Sequence, residues 1–173
     1  MTVRRTRRAV LAAGATLSAG PLAGCSGSSD GPAPRDAAAA FNQAVSAHER
    51  ALDHWERAVS LRADGALREA SRTFLRAKND YVVAEEAYRE AATVADDAGC
   101  RPLAERSRPR VRHCSARAKA ASAFGKVTLL RHRNQSDQSE LHLRRARDFA
   151  ADARAAATAS PPAEVSLEDP PCG

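Results

Sequence analysis

The sequence predicts an all-α protein, an up-down four-helix bundle that follows an N-terminal segment of different composition. Apolar residues recur at steps of three and four in four successive stretches. Short breaks rich in Gly, Asn and Asp separate those stretches, and no run alternates as a half-buried strand does. Alanine is abundant while Phe, Trp and Tyr make up only 4% of the chain, so the core should be thin, with closely approaching helices.

The first helix is expected from about Asp36, read as its N-cap, to about Ala63. Phe41, Val45, His48, Leu52, Trp55 and Val59 form its buried face, and Asp64-Gly65 ends it. In the second, Leu67, Phe74, Tyr81 and Tyr88 hold one heptad position. Ala70, Ala77, Ala84, Ala91, Ala95 and Ala98 fill the positions between them. This large-small alternation lets a neighbour approach closely, and Gly99 is the stop. The third helix is expected to begin near Ser107 after a short turn through Arg106, because Pro102 and Pro109 suit helix starts and not interiors. Val111, Cys114, Ala118, Ala121, Phe124 and Thr128 supply its buried face. Arg133-Asn134-Gln135-Ser136 interrupts the pattern. The fourth helix runs from about Asp137 to Thr158 on Leu141, Ala146, Phe149, Ala153 and Ala156. Pro161-Pro162 ends it and leaves 159–173 as a loose tail. Four amphipathic helices joined by short breaks give the bundle, over residues 36–158.

The N-terminal segment has three parts. Arg4, Arg5, Arg7 and Arg8 make it basic. Ala9 to Ala23 is nearly uncharged but too short and too glycine-rich for a spanning helix, which needs about 20 apolar residues. Leu22-Ala23-Gly24-Cys25 closes it, and Ser26 to Pro34 then reads as a flexible tract. The four residues Leu22, Ala23, Gly24 and Cys25 resemble the lipobox of bacterial and archaeal lipoproteins. That resemblance implies a signal peptide over 1–24, cleavage before Cys25, a lipid on its thiol, and a lipidated tether over 25–35. Thr6-Arg7-Arg8-Ala9-Val10-Leu11 resembles the twin-arginine export motif, although Ala12 stands where that family often has lysine and Val10 where it often has phenylalanine. It implies export of an already folded chain. The two resemblances cover residues 4–25 and are of the kind found in haloarchaeal and high-GC bacterial precursors. They imply a location on the extracytoplasmic face of the cell membrane, with the membrane itself as a partner through the lipid.

The net charge of +6 overstates the basic character of the bundle. Loss of Arg4, Arg5, Arg7 and Arg8 from the 27 basic side chains leaves 23 against 21 acidic ones, or +2. A bland charged surface, without a nucleic-acid partner, follows from that balance.

With Cys25 lipidated, Cys100, Cys114 and Cys172 remain as disulfide candidates. The spacing favours Cys100–Cys114, whose loop of about 15 residues is worth about 3 kcal/mol in the chain-entropy model. It requires the third helix to start near Ser107. The rival pairings tie Cys172 to Cys100 or to Cys114 and pin the tail. The topology gathers all three cysteines at one pole, which the tether holds nearest the membrane. The turn bearing Arg131, Arg133, Arg144, Arg145 and Arg147, with His132 and His142 nearby, then projects outward. That cluster is either a solvated face or a contact for anionic lipid, cell-wall polymer or an acidic partner.

No CxxC spacing exists, and His113 points about 100° away from Cys114 on a helix, so neither a metal site nor a cofactor is expected. Asp80, Glu85, Glu86 and Glu90 make no carboxylate site; Glu85 and Arg89 suit an i,i+4 surface pair. No HExxH, GxSxG, CxxCH or glycine-rich phosphate loop occurs, and no catalytic residue is assigned. The functional expectation is an interaction or scaffold module that engages a cell-surface protein. The alternative is a small ligand held near Trp55, Tyr81 and Tyr88, and an accessory enzyme comes last.

Overall fold

In the computed structural model, which describes residues 31–157 and 163–172, the first helix starts two residues before Asp36. Helix α1 spans Pro34–Ala63, α2 Leu67–Asp97, α3 Arg101–His132 and α4 Ser136–Ala155. They form an up-down four-helix bundle. Residues 1–24, Cys25, Thr158 and Pro161-Pro162 lie outside the described residues. Asp36 sits within the first turn of α1, where its Oδ2 accepts the Ala33 N–H at 2.8 Å. Pro34 opens the helix, at a place where an N–H would have no partner anyway.

One turn geometry makes all three connections. Each of the first three helices is followed by a residue at positive φ: Gly65 (78°), Gly99 (68°) and Asn134 (57°). The next N–H then reaches back across the last turn: Ala66 to the Leu61 carbonyl at 2.9 Å, Cys100 to Ala95 at 2.7 Å, and Gln135 to Leu130 at 2.9 Å. This is the Schellman arrangement, which satisfies end carbonyls and reverses the chain within a few residues. Gly99→Ala places a Cβ in the left-handed region and should cost about 1 kcal/mol, read as a lowered urea midpoint.

The third helix corrects the sequence expectation. It begins at Arg101 and runs unbroken through Pro109 to His132. Pro109 removes one ladder hydrogen bond, but the turns around it are held by other means. Leu103, Ala104 and Ser107 are fully buried. Arg108 Nη2 donates to both Asp96 carboxylate oxygens at 2.9 and 2.7 Å, clipping this stretch to the end of α2. Core burial outweighs the local penalty of the proline.

The core repeats in three tiers set by heptad steps on α1 and α2. The first joins Phe41 to Tyr88 edge-on at 6.0 Å, with the Arg110 guanidinium 5.6 Å from the Phe41 ring centroid. The second sets His48 edge-on to Tyr81 at 5.9 Å. The third packs Trp55 against Phe74 and Phe124 at 5.5 and 5.7 Å. Alanines at 44, 51, 77, 84 and 91 are fully buried between them and set the close approach of α1 and α2. Between α2 and α3 the spacer is Gly125. A Cβ there would stand 3.3 Å from that of Phe74, and Ser71 Oγ donates to the Gly125 carbonyl at 2.8 Å.

The bundle is open on one side. Helix α4 packs along α3, and its Cα atoms reach neither α1 nor α2 within 8 Å. Three residues expected inside are consequently exposed: Leu52 at 38%, Val59 at 44% and Leu141 at 48%. Their stripes lie at edges that a closed bundle would have covered.

The cysteine pairing is a second correction. Cys100 bonds Cys172, with Cα atoms 4.4 Å apart, and Cys114 is a free, buried thiol. Because Arg101–Cys114 is helical, Cys114 stands about 20 Å up α3 from Cys100, far beyond disulfide reach and away from that pole. The tail over 163–172 is therefore not loose. Beyond the disulfide, Asn42 clamps Val165 through two hydrogen bonds of 2.8 Å, Nδ2 donating to the carbonyl and Oδ1 accepting the N–H.

Candidate functional site

Two places gather chemistry-bearing side chains, one inside the bundle and one on its open side. The inner one is the tier around His48. Helix α1 carries His48 inward, α2 brings Tyr81 and Tyr88, and α3 supplies His113, Cys114, Arg110 and Arg117. The His48 and His113 rings stack at 5.4 Å, and Cys114 Sγ lies 3.8 Å from His48 Nδ1. His113 turns its Nδ1–H to the Ala153 carbonyl of α4 at 2.9 Å.

The electrostatics of this tier favour the neutral forms of its histidines, thiol and phenols. Burial, then His113, Arg110 and Arg117, push His48 down to about 4. Burial, with Glu85 adding to it, pushes the Cys114 thiol up to about 12. Burial raises Tyr81 to about 12 and raises Tyr88 as well. A neutral thiol therefore meets a neutral imidazole, the reverse of the thiolate–imidazolium pair that a cysteine nucleophile uses. Arg110 and Arg117 also make the tier a poor place for a cation, and among the described residues no group of three or more His, Cys, Asp or Glu side chains could hold a metal. Tyr81 and Tyr88 keep buried hydroxyls without a hydrogen-bond partner. Both rings are fully buried and pack edge-on against His48, at 5.9 and 6.0 Å. Tyr81 and Tyr88 thus belong to the core and not to a pocket between α1 and α2.

The outer place is a groove of about 590 Å³ where α2 and α4 flank α3 without meeting. Its volume lies within the range of small-molecule sites. Val82, Ala118, Ala123 and Phe149 give it an apolar floor; Lys78, Lys119, Lys126 and Arg145 give it cationic edges. Glu85 is the one carboxylate in its lining, and Arg89 engages it at 2.7 Å. The chain contains three lysines among its 27 basic residues, and all three line this groove. That was the signal in the sequence: Lys119 and Lys126 stand one heptad apart on α3.

The arginine-rich turn proves to be divided by α4. Arg145 and His142 face the groove. Arg131 and Arg147 lie on the side of Arg62, whose pKa is lowered by burial and then by those two charges. Arg62 itself rests over the Phe124 ring at 5.3 Å. His54, adjacent to Trp55, turns outward to Asp80 at 2.6 Å, and Glu85 and Arg89 form the expected i,i+4 pair. No described helix is long and apolar enough to cross a membrane. Neither protein-family models nor curated proteins nor solved structures give a match to this chain.

Proposed function

We propose that this protein is an exported lipoprotein, anchored through Cys25 on the extracytoplasmic face of the membrane, whose bundle serves as an interaction module for a cell-surface protein. The observation that carries the reading is Leu22-Ala23-Gly24-Cys25 followed at once by the Ser/Gly tract. The Cys100–Cys172 disulfide supports it, because such bonds persist in oxidising compartments and are rare in the cytosol. The path of the chain agrees: Gly31 runs beside the Asp97 carbonyl, so α1 is entered at the pole that carries the disulfide. A lipid at Cys25 holds that pole nearest the bilayer and leaves the turn around Asn134 facing outward.

Cys25→Ala should abolish labelling by a radioactive fatty acid and leave uncleaved precursor or untethered protein. Unchanged labelling contradicts the anchor. Replacing Arg7 and Arg8 with lysine should stop export if the twin-arginine route is used. For the interaction role, capture from solubilised membranes should enrich a specific surface protein over a lipobox-only control, and no enrichment argues against it. A second reading, binding of a small ligand, is favoured by the groove between α2 and α4.

A further inference from the structure

The groove on the open side of the bundle is graded from end to end. The hydrogen bond from Ser71 to Gly125 and the stacking of Phe74 on Phe124 fix the register of α2 against α3. Running antiparallel from there, Lys78 comes level with about Lys119, Val82 with about Ser115 and Glu85 with about Arg112. The bond from His113 to Ala153 fixes α4 in the same way, so that Phe149 lies level with about Arg117, Arg145 with about Ala121 and His142 with about Phe124. One half of the groove therefore holds Val82, Ala118 and Phe149. The other holds Lys126, Arg145 and His142 around Ala123, with Lys78 and Lys119 at the border between the two.

From this gradient we propose that the groove binds a single-chain amphiphile, with its anionic head, a carboxylate or a phosphate, among Lys78, Lys126 and Arg145. Its apolar chain lies along Val82, Ala118 and Phe149. The lining residues of α3 run from Ser115 to Lys126, which gives a groove of roughly 16 Å at the helical rise. An acidic polymer would match a basic track of even density, which this is not. An uncharged chain would leave the cationic half unmatched. Those cations already crowd one another: partial burial, then Lys126 and Arg145, lower the pKa of His142. An anion there relieves that repulsion, while the chain covers the apolar floor. The inference rests on the bundle and not on the lipid anchor, so either can fail while the other stands.

The test uses the full chain carrying Cys25→Ser, purified without detergent, so that no attached lipid competes. Laurate, dodecyl phosphate, dodecanol and dodecyltrimethylammonium, each below its micelle concentration, are titrated by calorimetry. Both anions, or one of them if the head chemistry is selective, should bind one to one and at least tenfold tighter than the alcohol or the cation. Lys126→Glu together with Arg145→Glu, both exposed and dispensable for packing, should weaken the anions at least tenfold and leave the circular dichroism melt unchanged. Bound laurate should also protect Lys78 and Lys126 from acetylation by an amine reagent, read by mass spectrometry. Dodecanol binding as tightly as both anions overturns the proposal. So does inorganic phosphate or polyglutamate binding as tightly as the amphiphiles, or charge reversal without effect.

Discussion

Cys172→Ser lowers the stability of the bundle by about 4 kcal/mol, and reducing agent does the same to the unaltered chain. Cys100 and Cys172 are 72 positions apart, and closing so long a loop removes much of the freedom of the unfolded chain. The effect should be readable in urea denaturation followed by helical circular dichroism. It carries its own control. Cys114→Ala keeps the disulfide, so that variant should remain fully sensitive to reductant, whereas Cys172→Ser should be insensitive. The opposite pattern would return the pairing to Cys100–Cys114. Local consequences should follow the global one. Without the bond, Val165 depends on the Asn42 clamp alone, and the 163–172 segment should become the first site of proteolysis.

Acid should weaken the fold through His48. The side chain is held near pKa 4 in the bundle against an ordinary value of 6.5. Burial is the main cause, and the neighbours add to it: Tyr81 and Tyr88 on α2, and His113, Cys114, Arg110 and Arg117 on α3 offer no negative charge to an imidazolium. Above pH 6.5 the histidine is neutral in both states and contributes no pH dependence. Below it the unfolded chain takes up a proton that the folded one refuses, so stability falls until about pH 4. The whole window is worth about 3 kcal/mol, of which about 2 should be lost by pH 5. His113 is shifted in the same direction and adds to the loss. His48→Gln keeps a polar partner for the Cys114 thiol but cannot titrate. Its unfolding free energy should fall clearly less between pH 7 and pH 5 than that of the parent. Equal slopes would mean that His48 is reached by water or an anion in the fold.

The fold was legible because the heptad signal is strong where it decides most. Phe74, Tyr81 and Tyr88 recur on α2 with alanine between them, and all three rings are fully buried. Gly65 and Gly99 marked their turns because only a residue without Cβ takes positive φ freely. Pro109 misled, since its local penalty was weighed without the burial of Leu103 and Ala104 that the longer helix gains. The cysteine pairing failed with it: a shorter helix would have kept Cys114 at the pole. Helix periodicity also says which face is apolar but not whether a neighbour arrives to cover it, so Leu52, Val59 and Leu141 were misplaced. The groove stayed hidden for the same reason. Its residues come from three helices, and only the open position of α4 brings Lys78, Lys126 and Arg145 around one apolar floor.

The central claim, an exported lipoprotein with a disulfide-locked bundle, meets its most direct test in one experiment. Protein purified from its native membrane is digested without reduction and its peptides are mapped by mass spectrometry. The account predicts an N-terminal peptide that begins at lipid-modified Cys25, a linked pair containing Cys100 and Cys172, and Cys114 as a free thiol. A chain that still carries residues 1–24, with Cys25 unmodified and Cys100 and Cys172 both reduced, would contradict it.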